Sequence, residues 1–208
     1  RTVLFVSHNM GGVRSLCNLG FVLHSGKLDF RGDVEKAINR YFQQNNSLSS
    51  SSITFEEGCG DETARLTHAL FTNSSGGDTF FTGEEIICEV EYEVLKPGAK
   101  PLVNLHFIND RGEYAFASID NSLAEVTELV PGKYRAKLVL PPLFMNNAVY
   151  SVDIHLTTLS PTTTHFVAKE AISIDVMDSY DFSIRQGYNG FFPGAVRPLL
   201  KWESARIG

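Results

Sequence analysis

Hydrophobic and polar positions change their period near residue 53. Residues 2–6 form a short apolar run rich in β-branched side chains, the composition of a strand buried on both faces in a parallel sheet. Ser7, His8 and Asn9 follow it, and residues 10–17 read as a helix with Val13 and Leu16 on one face. Residues 20–23 and 27–30 predict two short strands joined through Ser25 and Gly26. Asp33 is placed to cap a helix whose apolar stripe is Val34, Ala37, Ile38, Tyr41 and Phe42. Residues 43–52, QQNNSLSSSS, are nearly free of apolar side chains. Such a stretch cannot bury enough surface to offset its ordering entropy, and it reads as a linker.

Beyond the linker the period is two. Strands are predicted over residues 65–72, 84–94, 102–109, 113–119, 133–140, 148–157 and 165–176, the last long and bent. Turn residues stand between them, including Lys96-Pro97-Gly98, Asp110-Arg111-Gly112, Pro131-Gly132 and Asn146-Asn147. Ile86, Cys88, Val90, Tyr92 and Val94 alternate with Glu89, Glu91 and Glu93, and similar alternation puts Val103, Leu105 and Phe107 inward. Residues 196–202 predict a final strand, interrupted by Pro198, after a glycine-rich aromatic loop around Tyr188, Phe191 and Phe192. Seven or so such strands predict an antiparallel β-sandwich.

In an immunoglobulin-like order, strands 102–109, 113–119, 148–157 and 165–176 share one sheet, and 65–72, 84–94 and 133–140 share the other. Asn104, His106, Ser151, Asp153 and His155 then stand on one outer face. Either Tyr114 and Phe116 join them, or Ala115 and Ala117 do. Sugars are held by flat aromatic or apolar faces and by planar polar side chains matched to neighbouring hydroxyls, and this face has both. On its residues alone it also fits an ordinary polar sandwich face.

The 208 residues suffice for one or two domains, and a hydrophobic share of 43% with 20% charged residues describes an ordinary globular chain. No apolar run approaches the roughly 20 residues of a membrane-spanning helix, and no signal peptide is visible. Cys17, Cys59 and Cys88 are odd in number and far apart, which fits a reducing, cytoplasmic compartment better than a disulfide framework. The net charge is −6, and 21 of the 24 acidic but only 12 of the 18 basic residues lie beyond Asn46. An acidic second part argues against nucleic acid, whose binding rests on phosphate neutralisation.

Several arrangements read as structural. Glu89, Glu91 and Glu93 lie side by side, whereas glycoside hydrolysis needs two acids across a cleft. His106 and His155 have no close third ligand, so no metal is expected. Arg31-Gly32-Asp33 is a tight turn leading into a helix cap. Residues 20–28, GFVLHSGKL, have five residues between the glycines and Leu28 where a P-loop needs four and a hydroxyl.

The string TVLFVSHNMGGVRSLC, residues 2–17, resembles the switch-histidine segment of ABC-transporter nucleotide-binding subunits, most of all those that drive polysaccharide export. The hairpin and helix closing on Arg40-Tyr41-Phe42 resemble the end of that ATPase domain. The glycine-rich loop and strand finishing on Trp202 resemble the carbohydrate-recognition domain appended to some O-antigen-export ATPases. The resemblance implies an ATPase remnant over residues 1–42, a linker over 43–52 and a carbohydrate-binding sandwich over 53–208. His8 would be the switch histidine, catalytic only in an intact ATPase with ATP and magnesium. The chain as given carries no P-loop, signature or magnesium motif, and is expected to be neither an enzyme nor a holder of a cofactor.

It further implies a cytoplasmic subunit, peripheral to the inner membrane through a permease, that binds a lipid-linked polysaccharide. The glycan-binding residues would be Asn104, His106, Tyr114, Phe116, Asp153 and His155. The last strand would be exchanged in a homodimer through Val196, Leu199, Leu200 and Trp202. The alternative is a structural dimerisation domain that binds no glycan.

Overall fold

The computed structural model describes residues 3–6, 13, 16–24, 26–34, 36–37, 40–41, 50–56, 59–109, 112–178, 188 and 192–207. The chain divides into two units, residues 1–49 with 186–191, and residues 50–185 with 192–208.

In the first unit β1 (Leu19–His24) and β2 (Lys27–Asp33) form an antiparallel hairpin, turning through Gly26 at φ 76°. Glycine suits that turn because a Cβ disfavours the left-handed region. Helical residues begin at Val34, right after β2, and Val34 and Ala37 are buried. Gly20 has no side chain because Ala37 packs where its Cβ would stand. Arg40 clasps Asp29 through two hydrogen bonds, 2.7 and 3.1 Å, from helix to hairpin. The strand expected over residues 2–6 is not found: residues 3–6 carry no strand, and Val3, Leu4 and Val6 are exposed. A strand of that composition is stable only with layers over both faces, and the described residues provide none.

The second unit is the expected β-sandwich, with the expected division of strands. One sheet has the order β3-β4-β6-β9, from β3 (Ser52–Thr54), β4 (Ala64–Asn73), β6 (Ile86–Val94) and β9 (Gly132–Leu140). The other has the order β5-β11-β10-β7-β8, from β5 (Phe80–Phe81), β7 (Leu102–Asn109), β8 (Tyr114–Ile119), β10 (Ala148–Leu159) and β11 (Thr162–Met177). Alternation explains the core. Ile86, Cys88, Val90, Tyr92 and Val94 of β6 are buried against Val103, Leu105, Phe107, Val152, Ile154 and Leu156 of the facing sheet. Each such side chain contributes roughly 1.5–3 kcal/mol on burial. On the opposite face of β6, Glu91 pairs with Arg135 of β9 at 2.6 Å and Glu93 with Arg65 of β4 at 2.7 Å. These carboxylates line one open sheet face, and exposed pairs of this kind add little stability.

The final strand expected over residues 196–202 is replaced by a single antiparallel bridge between Met145 and Val196. The chain is pinned just before that point. Asn146 Nδ2 donates to the carbonyls of Phe192 and Gly194 at 2.8 and 2.6 Å, and the Tyr150 hydroxyl donates to that of Ala195 at 2.7 Å. Arg197 then pairs with Asp178 at 3.3 Å. Past Arg197, Leu199, Leu200 and Trp202 are exposed, Trp202 by 85%. A strand needs a ladder partner; the Arg197 N–H donates to the Phe144 carbonyl at 3.0 Å, and within the described residues no strand pairing continues beyond it.

Candidate functional site

The outer face of the five-stranded sheet gathers the residues that the alternation of β7 and β10 selects. His155 is directly opposite Asn104 in the ladder, and Asp153 is opposite His106. The His106 and His155 rings stack with centroids 4.0 Å apart and planes 29° apart. Tyr114 of β8 meets His106 edge-on at 5.8 Å and is 69% exposed. Two stacked imidazoles and a phenol therefore form a continuous aromatic surface with polar edges. Burial pushes the His155 imidazole below its ordinary value; the nearby His106 acts in the same direction and Asp153 opposes it. The neutral ring, which keeps both a donor and an acceptor nitrogen, is thus favoured near neutrality.

The other expected members hold different positions. Phe116 does not join this face. It stacks on buried Phe107 at 4.4 Å and meets Phe144 at 5.0 Å, so it belongs to the core side. The cause is a bulge: Phe107 pairs with Phe116 but the next partners are Ile108 and Tyr114, with Ala115 the extra residue. An extra residue shifts the parity of everything beyond it, so Tyr114 and Phe116 fall on opposite faces. Tyr114 and Ala117 are the outward pair.

Asn104 and Asp153 face outward but are only 7% and 6% exposed. Asn104 Nδ2 donates to Thr157 Oγ1 at 2.7 Å. Asp153 Oδ1 accepts the backbone N–H of Glu170 at 2.7 Å, where β11 bulges and Glu170 takes φ 48°. Asp153 therefore holds the sheet together at this point, while the two histidines and Tyr114 present the surface. Asn104 Oδ1 and His155 Nε2 are buried and, among the described residues, have no hydrogen-bond partner. Such atoms are costly unless something completes them. His8 lies outside the described residues, and no group of three metal-ligating side chains occurs among the described ones.

A second polar group escaped the sequence reading. His165, almost wholly buried, contacts Asp61 Oδ2 through Nδ1 at 2.8 Å and Thr158 Oγ1 through Nε2 at 2.8 Å. Asp61 Oδ1 accepts the N–H groups of Thr63 and Ala64 at 2.7 and 3.1 Å. Burial alone would raise the Asp61 carboxyl, but the His165 contact and the two amides outweigh it and hold it below the ordinary carboxylate value. Asp61 and His165 are 104 positions apart, so no local spacing announces them.

No protein-family model matches the sequence, and no curated protein matches it. Among solved structures the chain is similar to the C-terminal domain of Wzt, at 12% identity and a TM-score of 0.54, over 70% of this chain and 86% of that one. A protein from Bacteroides fragilis assigned as a β-galactosidase aligns at 11% identity and a TM-score of 0.30, over 58% of this chain and 17% of that one. The first likeness shows a shared sandwich fold; the second is too slight to carry an argument.

Proposed function

We propose that this chain is the carbohydrate-recognition part of an O-antigen or polysaccharide-export ABC transporter subunit, and that it binds a lipid-linked glycan. The observation that carries this is the His106–His155 stack with Tyr114 at its edge, on the outer face of a sandwich that shares its fold with the C-terminal domain of Wzt. Flat rings accept the C–H faces of sugars, and their nitrogens and the phenol exchange hydrogen bonds with hydroxyls. Each such bond replaces one to water and nets about 0.5–1.5 kcal/mol, so millimolar to micromolar affinity is expected. The subunit is read as cytoplasmic, attached to the inner membrane through a permease. Among the described residues no helix is long and apolar enough to cross a membrane.

The test is calorimetric titration of the full chain with purified O-polysaccharide, beside His155→Ala and Tyr114→Ala variants. Both variants stay folded and lose at least about tenfold in affinity, the equivalent of about 1.4 kcal/mol. An unchanged affinity in both variants removes the histidine–tyrosine face from the reading. The second reading, a brace that only dimerises the transporter, draws on exposed Leu199, Leu200 and Trp202. Failure of the parent chain to bind any polysaccharide, together with a stable homodimer, would favour it.

A further inference from the structure

We infer that a pocket at one end of the sandwich is a second carbohydrate subsite, which holds one neutral sugar ring against the hydroxyl of Thr158. The inference rests on the glycan-binding reading above and extends it to a separate place in the fold. The pocket, 760 Å³ in volume, lies where β6, β8 and β10 end and β4, β7 and β11 begin. Its walls come from the β6–β7, β8–β9 and β10–β11 connections. That volume falls inside the range of small-ligand sites.

The Asp61–His165–Thr158 chain gives this pocket a fixed polar wall. In the tautomer that donates from Nδ1 to the Asp61 carboxylate, Nε2 accepts the Thr158 hydroxyl proton. The lone pairs of Thr158 Oγ1 then remain as acceptors beside the pocket that Thr158 lines. Linked, satisfied polar groups of this kind are rigid, and an ordered acceptor loses little entropy when a ligand hydroxyl meets it. Around it, Leu102, Ile119 and Pro161 supply apolar surface for a ring's C–H face, and Asn121 supplies a planar donor and acceptor. The charges suit an uncharged ligand. Lys96 and Lys100 are offset in part by Asp120, and Lys100 Nζ is already engaged with the Ala124 carbonyl at 3.1 Å.

The pocket also continues the histidine face. Ile119 is directly opposite Asn104 in the β7–β8 ladder, and Leu102 is opposite Thr157, the residue that Asn104 holds. From Asn104 to Leu102 is two residues of β7, roughly 7 Å. A glycan lying along β7 over the histidines therefore reaches the pocket within the length of a short oligosaccharide.

The experiment is a titration of the full chain with methyl glucoside, methyl mannoside, methyl galactoside and purified O-polysaccharide, followed by amide NMR shifts. Thr158→Val removes the acceptor, keeps the shape and the strand preference, and leaves the His165–Asp61 pair in place. Asn121→Ala, on a loop, repeats the test without touching a strand. Expected is a set of shifts at Asn121, Thr158 and Thr163 in the parent. Either variant should lose them, with polysaccharide affinity about 3- to 10-fold weaker, the change of one hydrogen bond. Shifts confined to His106, His155 and Tyr114, with both variants titrating like the parent, overturn the pocket and leave glycan binding standing. No shift with any probe overturns both.

Discussion

Replacing Asp153 with alanine distinguishes a sheet-holding role from a sugar-contacting one. Asp153 Oδ1 accepts the Glu170 amide at 2.7 Å, on a side chain 6% exposed, at the bulge where Glu170 takes φ 48°. Hydrogen bonds to charged groups contribute about 1.5–3 kcal/mol, and a left-handed non-glycine residue costs about 1–2 kcal/mol that its surroundings must offset. The expected loss in Asp153→Ala is therefore about 2 kcal/mol. With a urea slope of roughly 2 kcal/mol per molar, the unfolding midpoint falls by about 1 M. Asp153→Asn keeps an acceptor and recovers most of that. Adding Glu170→Gly to Asp153→Ala returns about 1 kcal/mol, because glycine adopts this φ without a Cβ penalty. A midpoint within about 0.2 M of the parent for Asp153→Ala would show that the bulge does not depend on this carboxylate. The outcome also governs binding studies, since a weakened sheet can lower glycan affinity without Asp153 touching a sugar.

Phe116→Ala should cost about 3 kcal/mol in urea unfolding, since its ring packs on Phe107 and Phe144, while Tyr114→Ala should change stability by less than about 0.5 kcal/mol. Burial pushes the Asp175 carboxyl up to about 6 from 3.8. The native state then holds the proton more tightly than the unfolded chain, so this contribution to stability is full below about pH 4 and is lost as pH rises to about 6. Asp175→Asn should abolish that loss, on the order of 2–3 kcal/mol, when urea midpoints at about pH 4 and pH 7 are compared with the parent's. Ending the chain at Arg197 keeps the anchor at Asn146 and Tyr150 but removes Leu199, Leu200 and Trp202. Sedimentation should show a homodimer in the parent and monomer in the truncated chain, and a persisting dimer would remove that segment from the assembly. Calorimetry with ATP and magnesium should show no binding, and micromolar affinity would contradict the reading of residues 20–28 as unrelated to a P-loop.

The division into sheets was legible because a buried sandwich strand carries its address in its own alternation. Ile86, Cys88, Val90, Tyr92 and Val94 need only the next strand's apolar row to be placed, and turn residues bound each run. Runs whose burial depends on surfaces elsewhere do not form strands among the described residues of this single chain. Residues 2–6 and 196–202 have strand composition, yet composition cannot supply the layers or the ladder that would make them strands. The Asp61–His165–Thr158 chain was illegible for another reason. Thr158 and His165 share the β10–β11 hairpin, but Asp61, just before β4, joins them from the strand order of the other sheet, so the signal lies in topology rather than spacing.

The inward turn of Phe116 and the engagement of Asp153 by the backbone both arise where a ladder is irregular. Period two converts position into face only while the ladder stays regular, and a bulge adds one residue to the count. At Ala115 it turned Phe116 inward and left Tyr114 outward, although the two share parity. Beside Asp153 an irregularity in β11 turned an outward polar group into the acceptor for a displaced backbone amide. Neither feature is marked by glycine or proline, the residues that usually betray a break in a strand. The irregularities flank His106 and His155, on β8 to one side and β11 to the other. Bulges bend a strand and re-aim its side chains, so the same departures that defeated the alternation set Tyr114 edge-on to His106. They are part of what builds the surface. Deleting Ala115 removes the extra residue and leaves Tyr114 next to Phe116, opposite Ile108 and still outward, whereas Tyr114→Ala removes the ring itself. The deletion should therefore keep glycan affinity while Tyr114→Ala loses it. Equal binding by Tyr114→Ala and the parent would show that the ring edge of Tyr114 contributes nothing to recognition.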